Sequence, residues 1–172
     1  MAALRTKRFM AVAGMTIGVL GGAGVAMAAG GSARSSGPDY AYGVDNPFVD
    51  ASATVHVVRT AEGSANITLH VHGANAPAGR RFGAHVHQNP CGALPTAAGG
   101  HYQHADATGS LEEREVWLDV TVNEAGNGHA MANRPWAVDE SHPRSVIIHA
   151  LPTAADGTAG ARLACIDLDG QP

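Results

Sequence analysis

Histidine is the residue whose number and spacing in this sequence point most directly to chemistry. The chain has ten histidines among 172 residues, and histidine is the commonest metal ligand in proteins. His85 and His87 are separated by one residue, so in a β-strand their side chains lie on one face and can approach the same ion. His70 and His72 have the same spacing. Spacing alone therefore favours ordinary polar exposure, and the context of each pair must decide.

Context singles out four histidines as candidate metal ligands. His85 and His87 lead directly into a long loop, and His101 within that loop follows two glycines that allow close backbone approach. His149 ends an apolar run, where a histidine is more often a packed core residue than a ligand. The sequence thus predicts either a metal site formed by His85, His87, His101 and His149 or four histidines packed for ordinary structural reasons.

The elements that would position these side chains are β-strands. Segments rich in β-branched residues, several of them alternating apolar and polar side chains, are typical of strands. The strands are predicted at 51–60, 66–72, 81–88, 113–122, 129–133, 145–150 and 161–168, and 129–133 is expected to pair back onto the strand before it. The loop 89–110 is long enough to suggest a functional role. The pattern predicts an all-β fold, an antiparallel sandwich or flattened barrel.

The first 28 residues are typical of a secretory signal peptide. A basic start is followed by an apolar, glycine-rich run and by a small-x-small site at Ala26–Ala28. A retained membrane anchor is the alternative, although the glycines weaken a spanning helix. Residues 29–43 are predicted to be a flexible tether, because they are polar and rich in glycine and serine. Residues 44–172 then form the β-domain.

Charge and cysteine content indicate which partners and which redox environment to expect. Without residues 1–28 the chain has 8 basic against 15 acidic residues and no lysine, a formal net charge of −7. Nucleic acid and anionic membrane surfaces need basic patches, so neither is an expected partner. An even cysteine count in an exported chain favours a disulfide between Cys91 and Cys165, with a pair of free thiols as the alternative.

Five short motifs occur in an order that resembles the copper/zinc superoxide dismutase (SOD) family. They are Gly83-Ala84-His85-Val86-His87, Cys91, Gly99-Gly100-His101-Tyr102, Val146-Ile147-Ile148-His149 and Gly160-Ala161-Arg162-Leu163-Ala164-Cys165. The resemblance implies a Greek-key β-barrel, an immunoglobulin-like flattened sandwich.

The resemblance also implies a role for each matched residue. His85, His87 and His149 match the ligands of copper alone, and His101 matches the histidine that bridges copper and zinc. Cys91 and Cys165 match the intrasubunit disulfide of the family. Arg162 matches the arginine that attracts superoxide beside the copper.

The zinc half of the family pattern is missing from this sequence. Glu115 stands where a zinc histidine is expected, and Leu118 stands where the zinc aspartate is expected. His104 and Asp106 lie near His101 but at spacings that do not complete a tetrahedral zinc site. The family's electrostatic loop is longer and charged, whereas the loop after His149 has no lysine and no acid close to His149. These losses resemble the copper-only branch, in which a carboxylate orients the bridging histidine. Glu115 is the candidate for that role.

The resulting prediction is an extracytoplasmic, copper-dependent superoxide dismutase that works without zinc. Its substrate is superoxide, and Arg162 and His101 are its candidate catalytic residues. The alternative is an exported protein that binds or delivers copper without significant turnover. No stable membrane span is expected after signal cleavage, and an oligomer is left open.

Overall fold

The computed structural model describes residues 32–138 and 144–168. Ten strands lie in this part of the chain: β1 Ser32–Gly37, β2 Tyr40–Ala41, β3 Ser52–Arg59, β4 Ala65–His72, β5 Arg81–Phe82, β6 Ala84–His87, β7 Val120–Thr121, β8 Gly128–Arg134, β9 Ser145–His149 and β10 Arg162–Asp167. A 3-10 turn covers Pro95–Ala98, and a single helical turn, α1, covers Leu111–Arg114. The predicted signal peptide, 1–28, lies outside the described residues.

The strands form two four-stranded sheets and a small two-stranded one. The first sheet has the order β1-β3-β4-β8, the second β2-β10-β9-β6, and β5 pairs with β7. Every pairing is antiparallel. The fold is therefore the all-β antiparallel sandwich that the strand pattern predicted.

The core lies between the inner faces of the two large sheets. Alternate residues of β3 and β4, such as Val55 and Leu69, are buried, and they belong to one apolar cluster with Val86, Ile148 and Ile166 of the second sheet. The outer face of the second sheet is covered instead by loops, and Ile147 packs there with Cys165 and Ala98. The candidate ligands lie on this covered outer face.

Three local expectations were wrong. The predicted tether contains β1, which pairs along its length with β3. An edge strand is held by main-chain hydrogen bonds, and the small Ala33 and Ser35 fit the inner positions without a large apolar side chain. The predicted strand 113–122 begins in α1, and β8 pairs with β4 rather than back onto that segment.

The sequence around α1 explains why the predicted strand 113–122 begins with a helical turn. Ser110 accepts a hydrogen bond from the backbone N–H of Glu113, and the Glu113 carboxylate accepts one from the backbone N–H of Ser110. This capping box starts a helical turn. The alternation that suggested a strand is nevertheless confirmed, because Val116, Leu118, Val120 and Val122 are all buried in the core. No helix in the described part of the chain is long and apolar enough to cross a membrane.

Candidate metal centre

Strands β6 and β9 carry three histidines on the loop-covered face of the second sheet. Ala84 and Val86 point into the core, so His85 and His87 point the other way. Both are 0% exposed, and His149 at the end of β9 is 4% exposed. The three are called the buried histidines below.

The fourth histidine comes from the loop that follows β6. His101 forms an isolated antiparallel bridge with His87, and the adjacent Tyr102 N–H donates to the Val86 carbonyl at 2.9 Å. These main-chain bonds lay the loop along the edge of β6. The His101 side chain is 20% exposed, so it forms the solvent side of the cluster.

The four imidazoles converge on one point. One ring nitrogen from each of His85, His87, His101 and His149 lies within 4.8 Å of the others. The ring centroids of His85 and His101 are 4.0 Å apart, and those of His85 and His149 are 4.9 Å apart. The cluster has the donor set and the compactness needed to hold one metal ion.

In each of the four rings, the nitrogen that faces away from the cluster is hydrogen bonded to the protein. His85 Nε2 lies 2.7 Å from Thr153 Oγ1, His87 Nδ1 lies 3.1 Å from the Gly99 carbonyl, and His149 Nδ1 lies 3.2 Å from the Gly160 carbonyl. His101 Nδ1 lies 2.9 Å from Glu115 Oε2. Such bonds fix ring orientation and tautomer in metal sites.

The inward nitrogens of the buried histidines have no partner. His85 Nδ1, His87 Nε2 and His149 Nε2 are buried and make no hydrogen bond. A buried polar atom without a partner is destabilising, and a bound ion is one of its ordinary explanations. The residues present therefore fit a metal ion.

Burial keeps the buried histidines in the form that binds metal. Desolvation, followed by the charges of neighbouring histidines, lowers the pKa of His85 to about 2. Desolvation, followed by the charge of Arg162, lowers the pKa of His87 to about 2. Desolvation also lowers the pKa of His149 to about 4. All three are neutral near pH 7, with a lone pair available for a metal.

Glu115 holds the outer nitrogen of His101. Its carboxylate is buried and also accepts hydrogen bonds from Trp117 Nε1 at 2.7 Å and from Gln103 Nε2 at 2.9 Å. Burial acts to raise the pKa of Glu115, but the bonds from His101, Trp117 and Gln103 outweigh it and hold that pKa below its usual value. Glu115 is thus a carboxylate at neutral pH, and α1 ends immediately before it.

A second carboxylate, which the sequence alone did not single out, supports His85 through a threonine hydroxyl. The Thr153 hydroxyl donates to Asp119 through a short hydrogen bond, and the Thr153 N–H donates to the same carboxylate at 2.9 Å. Because its hydrogen is committed to Asp119, the hydroxyl accepts from His85 Nε2–H. The lone pair of His85 is therefore on Nδ1. Asp119 also forms an ion pair with Arg81 at 3.2 Å.

Gly83 explains why Thr153 reaches His85. A side chain at Gly83 would put its Cβ within 2.8 Å of Thr153 Oγ1 and of the Leu151 carbonyl. The Gly83 N–H donates to that carbonyl, so the loop after β9 lies directly against the start of β6. The glycine before the two histidines was a signal in the sequence, but the contact it permits depends on the path of a distant loop.

Arg162 lies at the edge of the site. It pairs with His149 across β9 and β10, and its guanidinium donates to the carbonyls of Pro95 and Gly99. The Gly99 carbonyl also accepts from His87, so one backbone group holds both side chains. An open depression of about 580 Å³ is lined by His101, His149 and Arg162, among others.

The disulfide predicted for Cys91 and Cys165 is present, with the two Cα atoms 5.8 Å apart. It ties the start of loop 89–110 to β10, next to Arg162 and Ala164. The loop that carries Gly99 and His101 is thereby held against the second sheet.

The remaining residues considered for zinc do not join the cluster. The ring of His104 stacks on Trp136 at 4.7 Å between centroids, and its Nδ1 accepts from the Asp106 N–H. Leu118 is a core residue. Among the described residues, the other group with metal-ligand atoms close together contains Cys91, whose sulfur is in the disulfide.

The comparisons with known proteins identify the fold. No protein-family model and no curated protein matches the sequence. Among solved structures, the clock protein EA4 is 15% identical, with a TM-score of 0.54 over 84% of this chain and 98% of that one. A double mutant of a SOD-like protein from Bacillus subtilis is 16% identical, with a TM-score of 0.53 over 69% of this chain and 89% of that one. The chain therefore has a SOD-like fold.

Proposed function

We propose that this protein is an extracytoplasmic, copper-dependent superoxide dismutase that works without zinc. It would convert two superoxide ions and two protons into oxygen and hydrogen peroxide. The observation that carries the proposal is the convergence of four imidazole nitrogens, three of them buried and without a partner, at a site that opens on one side.

The donor set favours copper. Imidazole nitrogen suits copper, and copper stands highest in the general affinity order of the divalent first-row metals. Bound copper would supply a centre that alternates between two oxidation states, which is what dismutation requires. The buried histidines lie on adjacent strands of one sheet and provide a rigid three-nitrogen base.

His101 is the candidate proton carrier. It is the most exposed of the four rings, and imidazole exchanges a proton near neutral pH. Glu115 accepts the hydrogen on Nδ1, so Nε2 is the atom that faces the centre and can gain or lose a proton. Glu115 thus orients the ring of His101.

Arg162 is the candidate guide for the anion. It is the cation among the residues that line the depression, and its side chain is held by two backbone carbonyls. Superoxide carries one negative charge, and a mature domain at −7 would repel it at long range. A fixed local positive charge beside His149 offsets that repulsion at the site.

The proposal of a zinc-free site rests on Glu115. The carboxylate takes up the His101 nitrogen that a bridging ligand would offer to a second metal. The proposed location outside the cytoplasm is supported by the disulfide, because disulfides persist mainly in oxidising compartments. The predicted signal peptide is part of the same proposal.

A copper-binding or copper-delivery protein without turnover is the second candidate. It is favoured by the fact that a clock protein shares the fold, so the fold does not require this catalysis. The loop between β9 and β10 also has a single acid, Asp156, and no lysine. Retention of Arg162 beside the ligands favours the enzyme, because a carrier needs no anion guide.

Reconstitution with defined metals tests the proposal. The protein is stripped with a chelator, reloaded with copper, with zinc or with both, and assayed for superoxide consumption. We expect copper alone to restore full activity and zinc to add nothing. Tight copper binding without turnover would support the carrier, and activity that requires zinc would refute the zinc-free site.

A further inference from the structure

A second group of histidines lies on the opposite side of the sandwich. His56 of β3, His70 and His72 of β4, and His129 of β8 all occupy outward positions of the first sheet. Here they are called the outer histidine face. The first sheet turns its other side to the core, so this face is separated from the buried centre by both sheets.

His70 is the centre of the outer histidine face. It pairs directly with His129 across β4 and β8, and the two rings are stacked with centroids 5.8 Å apart. The ring of His72, two residues along β4, is stacked on it at 6.5 Å. His56 lies diagonally across β3 and β4, because its neighbour Thr68 is two residues before His70. Such neighbours are close enough for their side chains to meet.

Nothing else in the described part of the chain explains this arrangement. None of the four rings makes a hydrogen bond or an ion pair there, and β1, β3, β4 and β8 contain no acidic residue.

We propose that the outer histidine face binds a divalent transition-metal ion, with His70 and His129 as its principal ligands and His72 as an additional one. Imidazole donors without carboxylates favour Cu²⁺ over the other common divalent ions. The ring nitrogens of this face do not yet converge as those of the buried cluster do. Exposed side chains change rotamer rapidly, so binding would turn the rings of these cross-strand neighbours towards one ion.

This site is independent of the proposed enzymatic function. It requires neither turnover nor occupancy of the buried centre, because no residue is shared between the two groups. Its consequence is that the protein would carry an accessible copper-binding surface in addition to the enclosed one.

Calorimetric titration of the full-length protein with Cu²⁺ tests the proposal. The variant is the double substitution His70→Asn and His129→Asn, and the matched control is His104→Asn, a histidine that lies off the outer histidine face. Equal melting temperatures would show that all three proteins are folded. In parallel, line broadening by Cu²⁺ in NMR spectra locates the ion through the amides of β4 and β8.

We expect the unmodified protein and the control to bind one equivalent of Cu²⁺ beyond the buried one. We expect the double variant to bind this equivalent more than about tenfold more weakly, because a second ligand on the same surface adds effective concentration. If the buried centre does not bind copper, the surface equivalent is still seen and still lost in the double variant. The proposal is overturned if the double variant binds copper like the unmodified protein, or if broadening spares β4 and β8.

Discussion

The substitution Glu115→Gln removes the charge behind His101 while keeping the shape of the side chain. The carboxylate accepts from His101 and Trp117 through Oε2 and from Gln103 through Oε1. If the glutamine oxygen takes the Oε2 position, its NH₂ faces the Gln103 amide. Gln103 cannot turn its oxygen inward without giving up the bond it accepts from Arg114 at 3.1 Å.

The magnitude follows from the change of hydrogen-bond type. A bond to a charged group contributes about 1.5–3 kcal/mol, and a neutral one about 0.5–1.5 kcal/mol. The two bonds at Oε2 together lose about 2 kcal/mol of folding stability. The share of His101, about 1 kcal/mol, corresponds to a loss of copper affinity of roughly fivefold, near the lower end of the ten- to hundredfold effects usual for partners of metal-binding histidines.

The assay compares Glu115→Gln with Glu112→Gln. Glu112 is exposed on α1, and its carboxylate accepts no hydrogen bond from the described residues. Glu112→Gln therefore changes the net charge by the same amount as Glu115→Gln but breaks no hydrogen bond of that carboxylate. Copper affinity, superoxide turnover and the EPR spectrum of the copper-loaded protein are measured for both. We expect the control to match the unmodified protein in all three.

The role assigned to Glu115 predicts changes that a purely structural residue would not cause. The EPR parameters should shift, and turnover should fall by at least roughly tenfold in fully copper-loaded protein. A folded Glu115→Gln variant with unchanged affinity, turnover and spectrum would show that Glu115 does not tune the centre through His101.

Three further predictions concern the other supports of the site. Thr153→Val removes the hydroxyl that accepts from His85, and copper affinity in a calorimetric titration should fall by roughly ten- to a hundredfold. Arg162→Gln should lower turnover and flatten its dependence on ionic strength in a salt series, while Arg162→Lys retains most of both. In the metal-free protein, the buried histidines have a pKa of about 2 or about 4 when folded, against about 6.5 when unfolded. The unfolded chain therefore binds more protons below pH 6.5. The free energy of unfolding, from urea titrations, should fall from pH 6.5 towards pH 4 by roughly 1 kcal/mol per histidine and pH unit.

Each of these predictions has its own control or contrary result. Thr158→Val removes an exposed hydroxyl of the same loop and should leave copper affinity unchanged. Equal loss of turnover in the glutamine and lysine variants of Arg162 would mean that its geometry, not its charge, matters. Metal-free stability that stays constant from pH 6.5 to pH 4 would contradict neutral buried histidines.

The spacing of residues pointed to candidate ligands but could not distinguish them from other histidine pairs with the same spacing. His85-x-His87 and His70-x-His72 follow the same rule of strand geometry, and both pairs do share a face. One pair lies under loops and the other faces outward, which depends on which sheet each strand joins and what covers it. That information lies in long-range pairing, beyond the reach of local periodicity.

The supports of the site show the same limit. Glu115 could be identified because it stands in place of a family ligand, and the structure places its carboxylate against His101. Thr153 and Asp119 were missed because they meet His85 only through the folding of the loop after β9. The prediction of a flexible tether at 29–43 missed β1 for a related reason. This polar strand is held by pairing with β3 rather than by its own side chains.

The most direct test of the central claim is the rate of superoxide decay, measured by pulse radiolysis, per bound copper in zinc-free protein and in its His149→Gln variant. We predict rapid, copper-proportional decay in the unmodified protein and a large loss in the variant. Stoichiometric, tightly bound copper with decay no faster than in buffer would contradict it.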